Sequence, residues 1–466
     1  MNILFVAAEV VPFSKTGGLA DVAGALPLAL GKLGHDVLIA TPQYRDQAGQ
    51  RLVRLSDRVR VIFIEHPGYF FRDGIYGTVD PKRGYQDHPD NAARFSFLCH
   101  EALGEARKLN FRPDIVHSHD WHTGPVSMIL KTLYAKDAFF KKTRTVFSIH
   151  NLAYQGLFPA SKWKDLRVGP APKAFKKCEF WGKVSYIKAG IECADAVNAV
   201  SPGYAREILT KELGCGLDHV LRRRGSAFSG ILNGIDTAAW DPSTDRALPK
   251  PYSAVRPGAR ASSRTALLHA FGLTDRAGAP AVPIFGIVSR LAEQKGFDIL
   301  MEAFDGLMER GVKFALLGTG EKRYEEFFKK AQKRYPRQAS CVLSFSGAQA
   351  SLIYAGSDFF LMPSRFEPCG LGQLISFRYG AVPIVHRTGG LGDTVTDVTA
   401  GPRRGNGIVF DGYSAKSLLE AADRAITLFG DKAAMEQVRA VGMKADFSWK
   451  RSAKKYEALY KKVLGC

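Results

Sequence analysis

No uninterrupted apolar run in the 466-residue chain approaches the roughly 20 residues that a membrane-spanning helix requires. The apolar opening MNILFVAAEVV has no basic leader, and Glu9 and Lys15 stand where a secretory signal stays uncharged. It therefore reads as a buried first strand, and the protein is expected to be cytoplasmic, without a membrane partner. Cysteine is scarce too. Cys99, Cys178, Cys193, Cys215, Cys341, Cys369 and Cys466 lie far apart, odd in number and with no C-x-x-C pair. That suits a reducing compartment and argues against a zinc ribbon. Acidic residues are also few, 45 against 65 Lys and Arg, giving a formal charge of +20 that favours anionic partners. The densest basic run, Arg222 to Arg224, is short, so a solvated basic surface is the better reading and no nucleic-acid partner is expected.

What remains is ordinary globular material, 46% apolar and 24% charged, in a chain longer than one core usually fills. Two domains are predicted. Ile3 to Ala7, Asp36 to Ala40, Asp114 to His117 and Thr145 to Ile149 read as buried strands separated by helical segments, the pattern of a parallel sheet covered on both faces. The rhythm stops in a Pro/Ser/Arg-rich stretch, which places the boundary between about Ile235 and Arg260. It resumes with Ile284 to Val288, Lys313 to Leu317, Val342 to Phe345, Phe359 to Met362 and Val382 to Val385 as strands, and FSWKRSAKKYEALYKKVL reads as a final helix. The domains are set at 1–240, 241–445 and a terminal helix at 446–466.

KTGGLADV from Lys15 and RTGGLGDT from Arg387 echo one another, each opening a helix after a strand. Paired glycines let backbone N–H groups approach an anion at a helix N-terminus; they also simply permit a tight turn. Other polar residues collect at strand ends, where ligands bind in open α/β sheets. His117, His119, Asp120 and His122 follow one strand, His150 and Asn151 the next, and Asn233 sits in SGILNGID. In the second half Arg290 ends a strand with Lys295 five residues on, and Glu367 follows FFLMPSRF before a helix expected near Gly370. HSHDWH has Trp121 where the H-x-H-x-D-H metal motif needs aspartate, so no metal is expected. Cys369 has no dedicated base and reads as a small residue at a helix start. Two glycine turns, a cation pair, a histidine and one carboxylate suit group transfer from a diphosphate leaving group.

Taken together, KTGGLADV, HSHDWH, SIHN, LNGID, SRLAEQKG, SRFEPCGL and RTGGLGDT resemble the bacterial glycogen/starch synthases, retaining glycosyltransferases of family 5, in order and over nearly the whole chain. The resemblance implies an α/β GT-B fold: two Rossmann-like domains with parallel sheets facing an interdomain cleft, the last helix crossing back to the first domain. It implies glucose transfer from ADP-glucose, a substrate rather than a cofactor, to the non-reducing end of an α-1,4-glucan. By motif, Lys15 with Gly17 and Gly18 would face the donor, Arg290 and Lys295 would clamp its diphosphate, and His150 would lie at the reacting centre near Asp120, Asn151 and Asn233. Glu367 would accept sugar hydroxyls, Cys369, Gly370, Leu371 and Gly372 would line the distal phosphate, and Phe345 would stack on adenine. Many relatives have Thr where Gly372 stands, which puts donor affinity in question.

A retaining glycosidase uses two carboxylates about 5 Å apart, whereas these motifs offer Glu367 alone, with Asp120 in the other domain. A dissociative, same-face substitution is therefore expected. Two other readings compete: a GT-B glycosyltransferase using UDP-glucose or another acceptor, and a non-catalytic glucan- or nucleic-acid-binding protein.

Overall fold

The computed structural model describes residues 1–80, 84–274 and 281–465; Cys466 lies outside the described residues. The chain forms two compact units, Met1–Gly234 with Trp449–Cys466, and Ile235–Ser448. Among the described residues no helix is long and apolar enough to cross a membrane, and the six described cysteines are free thiols.

The first unit is built on an eight-stranded sheet, ordered Phe228–Gly230, Ala196–Ala199, Arg144–Ile149, Ile115–His119, Asn2–Val6, Asp36–Pro42, Val59–Ile64 and Leu52–Ser56. Every pair is parallel except the last, which is antiparallel. Ile3, Leu4, Phe5 and Val6 are all fully buried, as expected for a strand covered on both faces. Parallel pairing puts the carboxyl ends at one rim, so the residues that follow Val6, His119 and Ile149 converge there. The strand predicted to stop at His117 continues to His119, because His119 still pairs with Ser148. His117 is thus an interior residue rather than a rim residue: its ring nitrogens meet the hydroxyls of Tyr460 and Ser148, both at 2.8 Å.

Tyr460 belongs to the terminal helix, Trp449–Leu464, which packs on this sheet. Trp449, Ala453, Tyr456 and Tyr460 recur at spacings of four and three, which puts them on one helical face, and all four are buried. Tyr456 also accepts from Asn198 Nδ2 at 3.0 Å.

The second unit has a six-stranded parallel sheet, ordered Ala339–Val342, Lys313–Leu317, Ile284–Val288, Phe359–Met362, Val382–His386 and Ile408–Phe410. The strand predicted at Val342 to Phe345 lies earlier, at Ala339–Val342, because its neighbour ends where Leu317 pairs with Val342. Phe345 is left in the following loop, 92% exposed. The helix expected near Gly370 begins at Gly372, with Leu371 as its N-cap and Gly370 held at φ 76°.

Candidate functional site

At the rim of the first unit, Glu9 organises the first glycine turn. It is 2% exposed, yet Thr16 donates to its Oε2 through both backbone and side chain, Gly17 N–H donates at 3.3 Å, and the Tyr76 hydroxyl donates to Oε1 at 3.1 Å. Burial outweighs these donors and raises the carboxyl above its ordinary range. The Thr16 and Gly17 amides therefore serve an internal carboxylate, which corrects the expectation of open amides at this turn. Gly18 begins the helix Gly18–Lys32, and Lys15 pairs with Asp21 at 2.7 Å in a largely exposed bridge.

Asp120 sits at φ 53°, a left-handed conformation that Asp tolerates better than most residues. Its Oδ1 accepts the His150 amide at 2.7 Å and the Asn151 amide at 3.3 Å, so one carboxylate fixes the loop carrying both candidates. Burial pushes its carboxyl up to about 7, against the pull of those two amides. Asn151 Oδ1 in turn accepts Ala153 N–H at 3.1 Å, a local turn contact. Asn233 is buried, and among the described residues its Oδ1 has no hydrogen-bond partner, which leaves it able to receive a ligand donor.

His150 Nε2 lies 3.0 Å from His119 Nδ1. Burial holds His119 well below its ordinary range and brings His150 down to about 3, so both rings are neutral near pH 7. His119 Nε2 is buried without a partner among the described residues. A bare lone pair there costs less than a stranded N–H, so the pattern assigns the proton to His119 Nδ1, donating to His150 Nε2. His150 then keeps its own proton on Nδ1 and is a neutral hydrogen-bond donor.

The second unit brings Glu367 and Lys295 together. Lys295 Nζ donates to Glu367 Oε2 at 2.6 Å, and Ser364 Oγ donates to the same oxygen at 3.0 Å. Glu367 is 5% exposed. Gly296 makes the approach possible: at φ 76°, a Cβ there would lie 1.9 Å from the Pro363 carbonyl oxygen. Arg365 N–H also donates to Gln294 O at 2.9 Å, closing the two loops together. The sequence grouped Lys295 with Arg290; in the folded unit its ammonium rests on Glu367, while Arg290 is exposed.

The second glycine turn differs from the first. Its helix, Gly389–Thr394, is a short one, and Gly390 lies against the Glu367 loop. A Cβ on Gly390 would lie 2.1 Å from the Cys369 carbonyl oxygen, and its N–H donates to Glu367 O at 3.0 Å. This glycine is there for close approach. Gln373, fully buried, donates through Nε2 to the carbonyls of Cys369 and Gly370 and to Thr394 Oγ1, so both loops are tied to the helix Gly372–Tyr379.

Sequence reasoning missed Glu9 and Ser364 as members of these networks. Glu9 carried a usable signal, a carboxylate directly after an apolar strand, the same placement that exposed Glu367. Ser364 carried none. Among the described residues no group of three His, Cys, Asp or Glu is arranged to hold a metal ion.

Residues 2–223 match the starch synthase catalytic domain family, and residues 278–437 match glycosyl transferases group 1. A glycogen synthase of Geotalea daltonii is 44% identical over all of this chain and 99% of its own length. The chain belongs to the glycogen and starch synthase family. A second member, the glycogen synthase of Anaeromyxobacter dehalogenans, is 45% identical with 99% of each chain covered. Among solved structures, the catalytic domain of starch synthase IV from Arabidopsis thaliana, bound to ADP and acarbose, aligns with a TM-score of 0.89 at 31% identity, covering 100% of this chain and 99% of that one. Sucrose-phosphate synthase from Thermosynechococcus elongatus, at 18% identity and a TM-score of 0.62 over 99% of both chains, shares the fold. The enzyme is a glycosyltransferase of the GT-B fold, with two Rossmann-like parallel-sheet units.

Proposed function

We propose that the enzyme elongates an α-1,4-glucan by transferring glucose from ADP-glucose to the non-reducing end with retention of configuration, the activity of a glycogen synthase. The observation that carries this reading is the buried carboxylate of Glu367, held by Lys295 and Ser364 in a chain that matches glycogen synthases over its whole length. Arg290 and Lys295 supply cations for the diphosphate, whose charge grows as the glycosidic bond breaks. Gly370, Leu371 and Gly372, following Cys369, open the helix whose amides serve the distal phosphate. Phe345 offers an exposed ring for the adenine. On the sugar side, His150 donates from Nδ1, and Asp120, Asn151 and Asn233 provide further polar groups. Lys15, on the glycine turn that Glu9 braces, completes the donor contacts.

The anomeric carbon loses its bond to the diphosphate oxygen and gains one to the glucan hydroxyl on the same face. The proton of that hydroxyl passes to the departing diphosphate. Glu367 orients the sugar and stabilises developing positive charge; its Oε2 is already engaged by Lys295 and Ser364, which suits an acceptor better than a nucleophile.

The test is to incubate the purified protein with glycogen and either ADP-glucose or UDP-glucose and to measure released nucleoside diphosphate. Release from ADP-glucose is expected, and release from neither donor rejects the proposal. Glu367→Ala should lower turnover by roughly 100-fold or more with an unchanged circular dichroism spectrum. Normal turnover in that variant would remove Glu367 from the site.

A further inference from the structure

Three aromatic residues described in the first unit are well exposed, Tyr85 at 57%, Tyr154 at 55% and, most of all, Trp181. Trp181 is 79% exposed. It occupies the two-residue turn between the strands Glu179–Phe180 and Lys183–Ser185, with φ 50° at Trp181 and 74° at Gly182. Turns with positive φ at both central residues normally take Asn-Gly or Asp-Gly, and a bulky side chain at the first position is an outlier. Such strain persists where the surroundings fix it and the exposed group has a use.

The surroundings do fix it. The indole stacks on buried Phe180 at a centroid distance of 4.4 Å and an interplanar angle of 20°. Gly216 fits beneath its edge: a Cβ there would lie 2.9 Å from Trp181 Cη2. Glu179 Oε1 accepts the Gly182 N–H at 2.9 Å and locks the turn. One indole face is therefore covered and the other is open and rigid, which spares a ligand the cost of ordering it.

The platform is tied to the loop that carries His150 and Asn151. That loop continues to Gln155, whose Nε2 donates to the Cys215 carbonyl at 2.7 Å, next to Gly216. Gln155 O also accepts the Ile187 N–H at 3.2 Å, and Gly156 O the Tyr186 N–H at 3.1 Å, anchoring the small sheet that bears the turn.

We infer that Trp181 is a stacking platform for a glucose unit of the α-1,4-glucan, away from the reacting residue, and this rests on the proposed synthase reading. A pyranose presents a face of C–H bonds to the open face of the indole, while its hydroxyls remain in water or meet the exposed Lys176, Lys177 and Lys183 nearby in the chain. The same basic residues raise one competitor, a polyanion held by charge, which the experiment separates.

Wild type, Trp181→Ala and Trp181→Phe are compared for glucosyl transfer at varied glycogen, for maltoheptaose binding by intrinsic fluorescence, and for retention on heparin at low and high salt. Trp181→Ala should raise the KM for glycogen about fivefold to tenfold, the scale of losing one aromatic anchor. Its kcat and its KM for ADP-glucose should stay within about twofold. Maltoheptaose should quench the wild type and not Trp181→Ala, and Trp181→Phe should recover part of the glycogen affinity. Unchanged glycogen KM and maltoheptaose affinity in Trp181→Ala overturn the inference. So does a Trp181-dependent, salt-sensitive heparin retention without a maltoheptaose response. A wild type that transfers no glucose but binds maltoheptaose through Trp181 would reject the proposed reaction and keep this surface.

Discussion

Replacing Gly372 by Thr is expected to destabilise the second unit. Gly372 opens the helix Gly372–Tyr379 and has no left-handed backbone, so its conformation admits a side chain. The obstacle is packing. A Cβ at this position would lie 2.9 Å from Phe360 Cε1 and 3.2 Å from Met362 Sδ. Phe360 is 1% exposed and packs against Tyr354 at 4.8 Å between ring centroids, so its ring has little room to retreat. Overpacking of this kind costs about 1–3 kcal/mol. Exchanging a helical glycine for Thr, itself a weak helix former, returns only about 0.3 kcal/mol. The net loss is then about 1–3 kcal/mol, or roughly 3–9 °C in Tm for a unit of this size. Scanning calorimetry of Gly372→Thr, Phe360→Leu and the double variant measures it. Phe360→Leu alone should destabilise, but in its presence the Thr should cost less, by a coupling of about 1 kcal/mol. A Tm that rises in Gly372→Thr, or losses that simply add in the double variant, would refute the packing argument.

Glu9→Ala should cut kcat/KM by about 100-fold by stranding the Tyr76 hydroxyl and releasing the Thr16 and Gly17 amides; Glu9→Gln keeps an acceptor for the turn and should retain activity within about tenfold. Equal losses in the two variants would place the role in the charge instead. Acid should destabilise the first unit, because four buried histidines with lowered pKa values outweigh Asp120 and Glu9, whose raised carboxyls act in the opposite sense over the same window. His150 is neutral when folded, with its pKa down to about 3 against 6.5, so the folded state binds fewer protons as pH falls through that window. His150 alone accounts for at most about 2 kcal/mol at pH 5, and His117, His119 and His122 shift the same way. Urea midpoints measured from pH 8 to 5 should decline, and His150→Gln should flatten the decline; a pH-independent midpoint would contradict it.

The parallel strands were legible because burial on both faces leaves uninterrupted apolar runs such as Ile3 to Val6 and Phe359 to Met362. The candidate residues were legible because polar groups at strand ends have few structural reasons to be there. His117 misled for a physical reason: a histidine whose two nitrogens are satisfied inside a sheet looks, in sequence, like one at a rim.

The sequence by itself determined the alternation of strands and helices, the two-unit organisation suggested by length, the apolar face of the terminal helix, and the glycine turns and lone carboxylate that pointed to diphosphate chemistry. These are local properties, written in periodicity and residue type. Only the tertiary structure decided that Glu9 fills the first glycine turn, that Gly390 backs the Glu367 loop, that Lys295 rests on Glu367, that Trp181 is held open over Gly216, and that the terminal helix closes on His117 through Tyr460. Each joins residues distant in the chain or fixes a backbone that only packing can impose, and pairwise contact of that kind leaves no period or spacing in a single sequence.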